Sequence, residues 1–210
     1  MYNDIFVDNE YDYPIQTALL HPPTGRTLNV LDIGANVGFF TLRFIDLVRQ
    51  SKGAGLPFQI TSIEGSPTVV KELSTRLLEE NDLVETVRVV HGLVGQRNGS
   101  AEIAEYDFHA MNTIMFSHDS GGVIVNFIDI ETLLGDDKVI DLLKCDIEGA
   151  ELSFLENYGD YMGHVTAAVF ELHHDRCDTE KCMRILYDLG FIEQTTLRDT
   201  ATFSVRYFSR

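Results

Sequence analysis

The sequence predicts an α/β fold: a doubly wound, mostly parallel sheet with helices on both faces and an antiparallel edge strand. Three observations carry that expectation. Apolar, β-branched runs of strand length alternate with helix-length amphipathic runs from residue 28 onward. Acids recur at the carboxyl ends of the strands, at Asp32, Glu64, Asp146, Glu148 and Glu171. The last two apolar runs, 191–196 and 202–208, are close enough in sequence to form a hairpin, which makes one edge antiparallel.

The elements follow in order. Residues 1–27 form a polar, Tyr-rich arm with a helix near 14–20, packed on a single domain at 28–210. The run 28–33 suits a parallel strand buried on both faces, and Phe39, Leu42, Ile45 and Val48 then recur at helical spacing over 38–50. A second strand occupies 59–64. Ser66 and Pro67 supply an N-cap and a first-turn proline for the helix carrying Leu73, Leu77 and Leu78. A third strand at 87–91 stops at Gly92, and a polar, turn-rich excursion fills 93–122, with a hairpin strand at 101–106. Further strands are expected at 124–128, 140–146 and 166–171, with helices at 129–134, 150–158 and 180–189.

Composition narrows the function. A formal net charge of −17 over 210 residues disfavours a nucleic-acid surface or an anionic membrane face, both of which need clustered Lys and Arg. Asp4, Asp8, Glu10 and Asp12 follow Met1 where a leader peptide would be basic and apolar, and no apolar run is long enough to span a bilayer. A soluble, cytoplasmic protein acting on a small molecule is expected. Cys145, Cys177 and Cys182 form an odd set, which argues against disulfide stapling.

The glycine turn after the first strand points to a nucleotide-type cofactor. A dinucleotide fingerprint starting at Gly34 requires glycine at Asn36 and Phe39 and fails at both. The pattern acid-x-G-x-G-x-G instead fits Asp32, Gly34 and Gly38. Asn36, its one departure, is the non-glycine residue that best tolerates left-handed backbone. This second pattern resembles motif I of class I S-adenosylmethionine-dependent methyltransferases. Glu64 ends the second strand, where an acid accepts hydrogen bonds from a ribose diol; its other reading is an acid favoured by the following helix dipole. On the fourth core strand Lys144 and Asp146 share one side, so they pair either as architecture or to hold an ionised carboxylate at the site.

Taken together, residues 31–38, 63–67 and 143–151 resemble the FkbM family of S-adenosylmethionine-dependent methyltransferases, collinearly from about Val30 to Phe191. The resemblance implies a Rossmann-like fold and O-methyl transfer to a hydroxyl of a small molecule, polyketide or sugar, with S-adenosylhomocysteine as product. It places Asp32, Gly34, Ala35, Asn36 and Gly38 at the methionyl end of the cofactor, Glu64 at the ribose, Ser66 beside it, and Leu93 or Val94 at the adenine. Asp146 and Glu148 fall near the transferred methyl, where Asp146 also serves the cofactor. Small residues at Gly65 and Ser66 depart from the family pattern.

Methyl transfer needs an in-line arrangement and a base for the hydroxyl proton, and Asp146, Glu148 and His173 are the candidates. His91 and His109 are weaker ones. A metal centre is the rival chemistry: His173, His174, Asp175, Cys177 and Cys182 crowd one loop without a regular zinc spacing, and Asp146 with Glu171 offers carboxylates to a divalent ion. No metal ligand is assigned on this basis. Two rival functions share the glycine turn: an NAD-dependent Rossmann oxidoreductase, which the glycine spacing disfavours, and a noncatalytic cofactor-binding protein. The excursion around Met111, Asn112, Ile114, Met115, Phe116, Ser117 and His118 is where an acceptor would be met.

Overall fold

Leu28–Ile33 forms strand β1, the third strand across a seven-stranded sheet, with side chains alternating between two cores. Leu28 and Val30 join one apolar cluster, Leu31 and Ile33 the other, as strand periodicity requires. A computed structural model describes residues 2–51, 55–104, 113–114, 122–135 and 138–210.

β1 pairs in parallel with β2 (Phe58–Glu64) on one side and with β7 (Leu142–Cys145) on the other. Beyond β2 lies β3 (Val87–His91). Beyond β7 come β8 (Ala167–His173), β10 (Phe203–Ser209) and β9 (Ile192–Asp199), with β10 antiparallel to both its neighbours. The chain leaves β1 toward β2 and later returns on β1's other flank, so the carboxyl ends of β1 and β7 border the crevice where strand order reverses. The terminal hairpin supplies the expected antiparallel edge.

Helix α3 (Phe39–Gln50) follows the glycine turn, but its buried face is turned from the expected one. Phe40, Phe44, Ile45, Leu47 and Val48 are buried, whereas Phe39 and Leu42 are half-buried. Two N-terminal helices, α1 (Tyr2–Phe6) and α2 (Asp12–Leu20), cover this side; the first has no signal in the sequence. Arg43 of α3 donates to both Asp12 carboxylate oxygens, at 2.7 and 2.6 Å, and to Asn9 Oδ1 at 2.9 Å. Arg198 of β9 holds Asp4 at 2.7 Å and Glu10 at 3.2 Å.

Ser66 caps α4 (Pro67–Ser74) as expected, accepting from the Val69 N–H at 3.2 Å, and the helix continues as a π-helical segment, Thr75–Glu80. A small antiparallel sheet gathers Ser100–Ala104 (β4), Thr113–Ile114 (β5) and Val123–Asn126 (β6), with β4 in the middle. Helix α5 (Ile130–Leu134) follows, then α6 (Glu151–Tyr158) after β7 and α7 (Thr179–Asp188) after β8. Strand β8 runs two residues past its expected end, which brings His173 into the sheet. Met111, Asn112, Met115, Phe116, Ser117, His118 and His109 lie outside the described residues.

Candidate active site

The turn between β1 and α3 is held against the neighbouring strands by its own backbone. Ile63 O of β2 accepts from the N–H groups of Gly34 and Ala35, both at 3.0 Å, and Ile33 O accepts from the Asp146 N–H at 3.1 Å. Gly34 has φ 73°, and a Cβ there would lie 1.6 Å from the Asp146 carbonyl oxygen, so nothing larger than glycine fits. Asn36 takes the left-handed conformation the sequence allows it, φ 49°, and its Oδ1 accepts from the Val37 N–H at 2.7 Å.

Beneath the turn, Asp32 is fully buried. Thr41 Oγ1 donates to its Oδ2 at 3.0 Å, and Lys144 Nζ lies 3.7 Å from Oδ1, the two residues being register partners on β1 and β7. Burial raises the Asp32 pKa. Lys144 also donates to Gly34 O at 2.7 Å and sits 3.3 Å from Asp146 Oδ2. Burial works against the ammonium, but Asp146, Asp32 and Glu171 together hold its pKa above the ordinary lysine value. Lys144 is therefore a strut between the glycine turn and two carboxylates.

Two cavities open on this framework. The first is bordered by Gly34, Asn36, Glu64, Ser66, Leu93 and Val94, uniting most of the residues assigned to the cofactor. Glu64 Oε2 accepts from the Asn36 N–H at 2.9 Å and Oε1 from the Ser66 N–H at 2.8 Å, while burial raises its pKa. Ala35 borders the second cavity instead. Asp32 and Gly38 border neither: Asp32 lies under the turn, and Gly38 precedes α3 close against Leu73.

The second cavity, about 350 Å³, is walled by Tyr11, Phe39, Phe40 and Phe203 and floored by charged groups from β7, β8 and the N-terminal segment. Asn36, Asp146 and Glu148 border both cavities and so mark their junction. Glu148 has φ 56°, a left-handed conformation costly for a side chain of its kind, and pairs with Arg176. His173 is held between carboxylates, with Nδ1 3.0 Å from Glu151 Oε1, and Nε2 3.4 Å from Glu148 Oε2 and 3.5 Å from Glu171 Oε1.

These contacts displace several proton affinities. Burial, then the charge of Asp146, pushes Glu148 up to about 7 and Glu171 up to about 8. Burial pushes His173 down, but its hydrogen bond to Glu151 and the surrounding carboxylates more than offset it and bring it up to about 9. At neutral pH His173 therefore carries its proton and is a donor.

Glu151 had no assigned role in the sequence. It is fully buried and accepts from the Gly149 N–H at 3.0 Å, the Ile147 N–H at 3.3 Å and Cys177 Sγ at 3.5 Å. Its position at the end of the 143–151 segment was the available signal. Cys145 and Cys182 are core residues, and no ligand set of His174, Asp175, Cys177 and Cys182 forms among the described residues. His91 is exposed, with Nε2 3.0 Å from Gly65 O.

The sheet order, the terminal hairpin and the site at the β1/β7 crevice define a class I methyltransferase fold. The chain belongs to the FkbM methyltransferase family, whose domain (Methyltransferase FkbM domain) matches residues 32–196. Among solved structures, methyltransferase FkbM from Methylobacillus flagellatus KT is similar with a TM-score of 0.58 at 17% identity, over 87% of this chain. This chain spans 43% of that protein's length. Human methyltransferase 10 domain containing protein is similar with a TM-score of 0.54 at 12% identity, over 95% of this chain and 79% of that one. Aeropyrum pernix fibrillarin, in complex with natively bound S-adenosyl-L-methionine, gives 0.52 at 12% identity, over 93% and 74%. No curated protein matches the chain in sequence. Among the described residues no helix is long and apolar enough to cross a membrane.

Proposed function

We propose that this methyltransferase takes its methyl group from S-adenosylmethionine in the first cavity. The acceptor is a hydroxyl oxygen of a small molecule, polyketide or sugar in the second cavity. The observation that carries this reading is the junction: Asn36, Asp146 and Glu148 border both cavities, so a group passed from one to the other crosses in front of two carboxylates. The residues that line the first cavity suit the donor. Glu64 keeps acceptor lone pairs beyond the backbone amides it binds, which suits a ribose diol.

The donor supplies an electrophilic methyl on a sulfonium. The chain's residues do the rest. Gly34 and Asn36 shape the methionyl end, Leu93 and Val94 give an apolar face for adenine, and Asp32 with Lys144 fixes the turn from below. Asp146 or Glu148 accepts the acceptor's proton as the new C–O bond forms, while His173 and Arg176 hold Glu148 in place. The net charge of −17 suits a small acceptor rather than a nucleic acid.

Calorimetry with S-adenosylmethionine tests the donor site: Glu64→Ala is expected to weaken binding by about 2 kcal/mol, roughly thirtyfold. Mass spectrometry after incubation with labelled donor and cell extract tests the transfer, and Asp146→Asn is expected to cut turnover more than donor affinity. Unchanged donor binding in Glu64→Ala removes the proposed ribose contact.

A further inference from the structure

We propose that Asp146, Glu171 and His173 bind a divalent cation of the manganese type on the floor of the second cavity. The register of β7 and β8, with Cys145 opposite Phe170, brings Asp146 beside Glu171, and strand alternation puts His173 on the same side as Glu171. One ligand atom from each lies within 4.8 Å of the others.

Two further observations point to a cation. Asp146 Oδ1 is inaccessible to solvent and has no hydrogen-bond partner among the described residues, Lys144 being engaged with Oδ2. A buried carboxylate oxygen without a partner is costly, and a metal ion relieves that cost. Glu151 grips His173 Nδ1 from the fully buried side, which leaves Nε2 facing the cavity; a carboxylate behind an imidazole is the usual support of a metal-binding histidine.

Two carboxylates and an imidazole leave coordination positions open and favour manganese over calcium, which takes more ligands and only oxygen. The ion's role in the reaction rests on the proposed methyl transfer, but the site does not. An ion held there would lower the proton affinity of a nearby acceptor hydroxyl, whose proton would pass to Glu148 as its oxygen takes the methyl and the donor leaves as the thioether.

Chelator-washed full-length chain titrated with Mn2+, with free ion followed by its paramagnetic resonance signal, tests the site. One saturable site is expected, weakened about tenfold or more in Glu171→Gln, His173→Ala and Glu151→Gln. Glu156→Gln, an exposed acid paired with Lys181, should bind as the parent does. Circular dichroism identifies any variant that fails to fold, and Glu171→Gln, at a half-buried position, decides if the histidine variant does. No saturable binding by the parent overturns the proposal, as does undiminished binding by the folded variants. Calorimetry with S-adenosylmethionine on the same preparation separates the two readings: donor binding without Mn2+ binding overturns the metal alone, and Mn2+ binding without donor binding overturns the methyl-donor reading alone.

Discussion

Gly34 and Gly25 have nearly the same backbone, φ 73° and 74°, yet only the first is hemmed in. A Cβ at Gly25 meets nothing within 4 Å, while one at Gly34 strikes the Asp146 carbonyl. Gly25→Ala is expected to cost about 1 kcal/mol for the left-handed conformation. Gly34→Ala should cost roughly 3 to 5 kcal/mol, because overpacking adds to it. Urea unfolding of the two variants measures the difference, and equal losses would mean that β7 yields to the extra atom. At this scale the sequence was legible where backbone constraint speaks, at the left-handed Gly34 and Asn36. It was silent on the contacts of His173 with Glu151 and of Glu148 with Arg176. Their partners lie far apart in the chain and meet only because β7 and β8 are neighbours.

The Ser66–Pro67 start of α4 shows a local signal surviving intact, since cap and proline act within one turn and need no tertiary help. Ser66→Ala removes the acceptor for the Val69 N–H and is expected to cost about 1 kcal/mol in thermal or urea unfolding. Donor affinity should change less than in Glu64→Ala, because the Ser66 contact to Glu64 is made by its backbone N–H. Element boundaries were less legible than element types. The apolar run 140–146 yields a ladder only over Leu142–Cys145, with Ile140 making an isolated bridge to Val165. Helix α1 is a single short turn, and its attachment through Arg198 to Asp4 comes from the far end of the chain. The N-terminal arm, with one helix near 14–20, was expected to pack on the domain; that the arm also borders the second cavity through Asp4, Ile5, Glu10 and Tyr11 had no local signature.

For the whole molecule, the carboxylate cluster sets a pH dependence with one sign. Glu148 and Glu171 titrate near 7 and 8 when folded against an ordinary value of 4.5, so between those limits the native state holds protons that the unfolded chain has lost. Stability from these acids therefore falls as pH rises. His173, raised from 6.5 to about 9, contributes stability that is complete below 6.5 and lost as pH rises through 9, which is the same direction. Lys144, Arg176, Asp32, Asp146, Glu151 and Glu10 surround these groups and keep their charges coupled. Chelator-treated protein is expected to lose unfolding free energy steadily from about pH 5 to about pH 9, with a shallower slope in Glu171→Gln. A flat profile would show that the cluster relaxes and takes up water.

The backbone of Glu148 carries a longer consequence. A glycine at that position would adopt φ 56° without penalty and gain about 1 kcal/mol, yet the chain keeps a glutamate there, beside a glycine that it already has at 149. Laboratory evolution toward heat resistance alone would drift to glycine at 148 and discard the carboxylate that both cavities share. Persistence of an acid at this site among descendants is thus a marker of lineages still under selection for chemistry rather than for durability.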